Sequence, residues 1–282
     1  MKKFILLAGL ALALALVGCS SDDPTAPAPA ADEAGIDGSI YQRPEFIDDR
    51  PEAVQLANTL TGADVFAVVP VAADKAGGKH ALVIGISDYA GTANDLTYCD
   101  DDALDWRNYL QGQGYTVTML LDGAATKAAI EAAVADLVSL SIAGNEIAYA
   151  YSGHGSRGNM VSADLTYISS AWFGGMFAGV GSTKMSFNFD ACQIGAFGTA
   201  LNAPGRVIAL ASDTKRYSYD GTAAMANGVF TYYQMLGFDV QGYVHAEPDD
   251  AYAVAQMKLW AGSVRVKVAP YYIDSYAGDL DY

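Results

Sequence analysis

Glu146-Ile147-Ala148-Tyr149-Ala150-Tyr151-Ser152-Gly153-His154-Gly155 reads as an apolar strand, Glu146 to Ser152, followed by a glycine-flanked histidine. Lys184-Met185-Ser186-Phe187-Asn188-Phe189-Asp190-Ala191-Cys192 repeats the arrangement, with a strand over Lys184 to Asp190 and a thiol in place of the imidazole. Aromatic and aliphatic runs of this length, entered from turns such as Ala143-Gly144-Asn145, have the pattern of strands. In an open α/β sheet, ligands bind beyond the carboxyl ends of the strands. Consecutive parallel strands are often neighbours in space. A thiol and an imidazole just past two such ends are the minimum equipment for a cysteine nucleophile.

The flanking sequence completes the sheet. Ala81 to Ile86 is a short continuous apolar run, as expected of a strand buried on both faces. Tyr115 to Leu121 and Arg206 to Ser212 read as further strands. Helical spacing appears over Asp100 to Leu110, Ala124 to Leu140, Ala226 to Leu236 and Asp249 to Ala261. Strands alternating with helices predict right-handed crossovers, hence a three-layer α/β/α sandwich around a mostly parallel sheet. Gly174 to Gly181 reads as a tightly turning connection. It is not a phosphate loop, because no Gly-Lys-Ser/Thr follows.

The amino terminus reads differently. Lys2 and Lys3 precede an apolar run from Phe4 to Val17, the pattern of a secretory signal over residues 1–18. The run is shorter than the roughly 17–25 residues that a membrane span needs. Leu16-Val17-Gly18-Cys19 resembles the bacterial lipobox, which implies cleavage before Cys19 and lipidation of its thiol. Ser20 in the next position implies, by the same resemblance, the outer membrane of a bacterial cell envelope. Residues 19–33 are rich in Ala, Pro, Ser and Asp and read as a disordered tether. Residues 34–76 read as an arm or a propeptide, with an edge strand at Val65 to Val69 ended by Pro70. Residues 77–282 form the predicted catalytic domain.

The whole chain carries a formal charge of −16. Loss of Lys2 and Lys3 with the signal leaves 14 basic against 32 acidic side chains. So acidic a surface argues against nucleic acid as a partner and is compatible with basic peptide segments. Cys99 and Cys192 remain after lipidation, in a compartment where disulfides form. A Cys99–Cys192 bridge is therefore an open alternative. It would make the protein a non-catalytic or redox-gated binding lipoprotein.

Ala81-Leu82-Val83-Ile84-Gly85-Ile86, Tyr98-Cys99-Asp100-Asp101-Asp102-Ala103, Tyr151-Ser152-Gly153-His154-Gly155 and Asp190-Ala191-Cys192 resemble the successive motifs of the caspase-like cysteine peptidases. The metacaspases and their bacterial relatives are the most similar branch. Gly228-Val229-Phe230-Thr231 resembles a segment after the last core strand, so the likeness runs from Lys79 to Leu236. Gln193-Ile194-Gly195 departs from the more usual His-Ser-Gly. The resemblance implies that Cys192 is the nucleophile and His154 the general base and acid of a cysteine endopeptidase. Backbone N–H groups of Gly155 and Cys192 suit an oxyanion hole. Side chains at i and i+2 of a strand share a face, which turns Asp190 toward the side of Cys192. A carboxylate there suits a basic residue before the scissile bond, arginine above lysine. Asp102 matches a family position near this pocket. The other reading places it with Asp100 and Asp101 as acids favouring a helix start.

Two further patterns carry less. Gly153 to Gly158 fits G-x-G-x-x-G, but no helix pattern follows and no acid stands about 20 residues on. No paired metal-ligand spacing is present, so neither a metal nor a cofactor is expected. Calcium activates some metacaspases, but the sequence contains no recognisable calcium loop.

Overall fold

Large side chains leave one side of the central sheet and small ones the other. Tyr149 and Tyr151, with Phe187 and Phe189, enter one core, whereas Ala148 and Ala150 enter the opposite one. The computed structural model describes residues 38–51 and 76–282. The signal segment, Cys19, the tether and the expected strand at Val65 to Val69 lie outside the described residues.

The strands are β1 (Lys79–Gly85), β2 (Thr116–Leu121), β3 (Glu146–Ser152), β4 (Gly155–Ser156), β5 (Asn159–Val161), β6 (Tyr167–Ser169), β7 (Lys184–Asp190), β8 (Arg206–Leu210) and β9 (Tyr271–Asp274). Six of them form one sheet in the order β2-β1-β3-β7-β8-β9. All its pairings are parallel except β8 with β9. The helices are α1 (Cys99–Gly112), α2 (Lys127–Leu140), α3 (Ser170–Met176), α4 (Ala196–Leu201), α5 (Val229–Leu236) and α6 (Ala246–Ser263). Ile130 and Val134 of α2, Phe173 of α3 and Phe197 of α4 pack on the aromatic face of the sheet. Trp106 and Leu110 of α1, Phe230 of α5 and Met257 of α6 belong to the cores on the other face. Helices on both faces of a mostly parallel sheet make the α/β/α sandwich expected from the sequence. Among the described residues no helix is long and apolar enough to cross a membrane.

Local chemistry moves several boundaries. Helix α2 starts at Lys127, not at Ala124, because the Thr126 hydroxyl caps it by accepting the Ala129 N–H at 3.2 Å. The stretch from Gly174 begins inside α3, whose Ser169 cap accepts the Trp172 N–H at 3.0 Å. The G-x-G-x-x-G string is a hairpin. Ser156 pairs with Asn159 across Arg157 and Gly158, whose φ angles are 51° and 81°. Two positive φ values in a two-residue connection are what a tight hairpin requires. Gly85 lets α1 lie close to β1, since a Cβ there would strike the Cys99 carbonyl.

Candidate active site

Ser152 and Asp190 are register partners at the ends of β3 and β7. His154 and Cys192 each follow two residues later, so the topology delivers both to one rim of the sheet. The chains then touch: a Cβ on Gly155 would overlap the Cys192 carbonyl oxygen. His154 and Cys192 are both buried, at 1% and 2% exposure.

The His154 ring is held at one nitrogen only. Nε2 lies 2.9 Å from the Asn94 carbonyl, which can only accept, so Nε2 carries the proton. Nδ1 has no hydrogen-bond partner among the described residues and keeps its lone pair. The backbone N–H of His154 donates to the Tyr89 hydroxyl at 2.7 Å. The rings of Tyr89 and Phe46 flank the imidazole at 4.9 and 5.9 Å between centroids. Burial pulls the imidazole down to about 4, against a hydrogen bond to Asn94 that raises it. Cys192 Sγ accepts the Ser218 N–H at 3.3 Å. Burial pushes this thiol up to about 12. No hydrogen bond joins the two side chains, and both are neutral near pH 7. The Cys192 N–H itself donates to nothing among the described residues. Gln193 takes a left-handed φ of 51° and ties this turn to the hairpin: its amide oxygen accepts the Arg157 N–H at 3.1 Å. That contact is where the sequence departs from the usual His-Ser-Gly.

Behind Cys192 lies an acidic well that contains an arginine. Arg43, 1% exposed, points its guanidinium at three carboxylates. Nε donates to Asp220 at 2.8 Å, and Nη2 lies 3.2 Å from Asp102. Nη1 lies 3.2 Å from the Asp190 carboxylate and donates to the Asp190 carbonyl at 2.5 Å. The carboxylates are themselves held. Asp190 accepts from the Ser218 hydroxyl and, at 3.1 Å each, from the N–H and hydroxyl of Thr231. Asp102 accepts from the Ser152 hydroxyl at 2.6 Å and the Gly228 N–H at 2.9 Å. Burial and Asp190 raise the Asp102 carboxyl, while Arg43 opposes the rise. Asp102 thus sits in the first turn of α1 and in the well at once, which joins the two readings of it.

Cys99 and Cys192 are both free thiols, so the bridge left open by the sequence does not form. Among the described residues no group of three or more His, Cys, Asp or Glu side chains could hold a metal ion. The sequence reading missed Arg43, Asp220, Ser218 and Asn94. Only Arg43 carried a signal: it is one of few cations in an acidic chain, and it stands before a proline.

The model of the caspase domain matches residues 78–233, more than half of the chain. No curated protein matches it. A crystal structure of protein GSU0716 from Geobacter sulfurreducens is similar at 16% identity, with a TM-score of 0.57. The match covers 73% of this chain and 97% of that one, and at such identity it bears on the fold alone. By the extent of the domain match, the chain belongs to the caspase-domain family.

Proposed function

We propose that the protein is a cysteine endopeptidase that cuts after arginine or lysine, with Cys192 as nucleophile and His154 as proton carrier. One observation carries the reading: an arginine side chain fills a well of three buried carboxylates directly behind Cys192. Three acids facing one another without a cation would repel and lose their hydration, so the well selects a positive side chain. It rejects an acidic one for the same reason.

The reaction follows from the free atoms. The Nδ1 lone pair of His154 takes the thiol proton, and the thiolate adds to the substrate carbonyl. The resulting oxyanion finds the unengaged N–H of Cys192 and that of Gly155. The imidazolium returns the proton to the leaving amine, and water hydrolyses the thioester. A thiol near 12 and an imidazole near 4 make the first transfer unfavourable in the state described here. Both shifts come chiefly from desolvation, so opening this rim to substrate and water relieves both.

Fluorogenic peptides ending in Arg, Lys or Asp test the proposal on the intact chain. We expect release from the Arg and Lys reporters only, and none from Cys192→Ala. Equal hydrolysis by Cys192→Ala, or a preference for Asp, would refute it.

A further inference from the structure

The arginine in the well belongs to the protein itself, and its backbone is bound as well as its side chain. Gln42 forms an antiparallel bridge with Tyr219. The Arg43 N–H donates to the Ser218 carbonyl at 3.2 Å, and the Asp220 N–H donates to the Tyr41 carbonyl at 2.8 Å. Residues 41–43 therefore add a short strand to the segment 218–220, the way an extended peptide is recognised. Beyond Arg43 the arm continues past the reactive rim. Glu45 accepts from the Tyr217 hydroxyl, Phe46 packs on the His154 ring, and Ile47 exchanges two hydrogen bonds with the Asn94 side chain at 2.9 and 3.0 Å. Arm residues thus lie on both sides of Cys192, as a substrate would, with Arg43 in the selective well.

The bond that follows Arg43 is a bond to Pro44. Proline has no N–H, and its ring fixes φ and crowds the carbonyl before it. It also confines the preceding residue to extended backbone, the shape Arg43 needs here. A proline nitrogen is thus a poor leaving group for a site that must approach the carbonyl closely and protonate the amine. The sequence repeats the device. The second arginine of the arm, Arg50, precedes Pro51, and the next basic residue is Lys75.

We infer that residues 38–51 are a built-in, uncleavable substrate mimic that holds the protein at a low residual activity until the arm is displaced. The inference rests on the peptidase reading above.

Pro44→Gly tests it without touching the well. In this variant the Cys192 sulfur adds to the Arg43 carbonyl, and the C–N bond that joins Arg43 to the new glycine breaks. The leaving nitrogen takes the thiol proton by way of His154, and water frees the Arg43 carboxylate. We expect intact mass and amino-terminal sequencing to find a chain beginning at residue 44 in Pro44→Gly. That chain should be absent from the wild type and from Pro44→Gly/Cys192→Ala. Arg43→Ala should hydrolyse an Arg reporter at least tenfold faster than the wild type. Should Arg43→Ala misfold, Pro44→Gly alone decides. An intact Pro44→Gly in a preparation that cleaves the reporter overturns the mimic and leaves the peptidase reading standing. Wild type and both variants cleaving the reporter equally fast does the same. No cleavage by any of the three, with no labelling of Cys192 by an arginyl chloromethyl ketone in Arg43→Ala or Pro44→Gly, overturns both.

Discussion

On the peptidase reading proposed above, Asp220 decides which cation the well prefers. It alone binds Nε of the guanidinium, while Asp102 and Asp190 take the terminal nitrogens. A lysine ammonium has no counterpart to Nε and gains little from Asp220. A hydrogen bond between charged groups contributes roughly 1.5–3 kcal/mol, about one to two decades in rate. Asp220→Asn should therefore lower kcat/KM for Arg reporters about tenfold more than for Lys reporters. The ratio is the proper readout, because occupancy by the protein's own arm divides out of it. An unchanged ratio would place Asp220 outside the recognition of substrate. Asp190 and Asp102 were legible in the sequence because one precedes Cys192 by two residues and the other sits at a helix start. Asp220 was not: Tyr217-Ser218-Tyr219-Asp220 has no periodicity, and its carboxylate acquires meaning only from Arg43, 177 positions away in the chain.

Among the elements, the connection into α5 shapes the floor of the well. Gly228 has φ −57° and ψ 143°, a conformation open to any residue. What it needs is space, since a Cβ would meet Nη2 of Arg43 and Oδ2 of Asp190. Overpacking of this kind costs about 1–3 kcal/mol. In the Arg43→Ala background, where the arm no longer competes for the well, Gly228→Ala should then reduce kcat/KM for Arg reporters ten- to hundredfold with the circular dichroism spectrum unchanged. Full activity would mean that substrates bind elsewhere than in the Arg43 well. The larger elements could be read from pattern. β3 and β7 fell at their observed bounds because apolar runs ending at Gly153 and Ala191 leave little choice of register. The strands β4 to β6 and helix α4, of two to six residues, were missed, since alternation needs more length than they have. The arm was missed for another reason. Residues 41–43 contribute a strand only by pairing with residues 218–220, and no local pattern encodes a partner so distant.

Across the whole molecule, buried carboxyls set the response to pH. Burial, helped by Glu247, pushes Asp250 up to about 8, although a hydrogen bond from Gln234 at 2.9 Å opposes it. Tyr282 also faces Asp250. Asp249 is raised well above its ordinary value, and neither of its oxygens has a partner among the described residues. Burial raises Glu247 and Asp102 as well. In the unfolded chain such groups lose their protons near pH 4. Above that pH the folded state holds protons that the unfolded state has released, so stability falls as pH rises until the folded groups also ionise. His154 works the other way. Lowered to about 4, it gives stability that grows as pH rises from 4 to about 6.5 and then stays constant. The two trends oppose each other below pH 6.5, and only the carboxyls act between 6.5 and 8. The formal charge of −16 adds repulsion in the same direction. Scanning calorimetry should find Tm falling by several degrees from pH 6.5 to 8, on the order of 1–2 kcal/mol at this chain length. Asp250→Asn, which keeps the shape and cannot ionise, should flatten that slope. A Tm that rises over the same interval would show that these carboxyls are ionised in the folded protein, with hydrogen-bond donors supplied from outside the described residues.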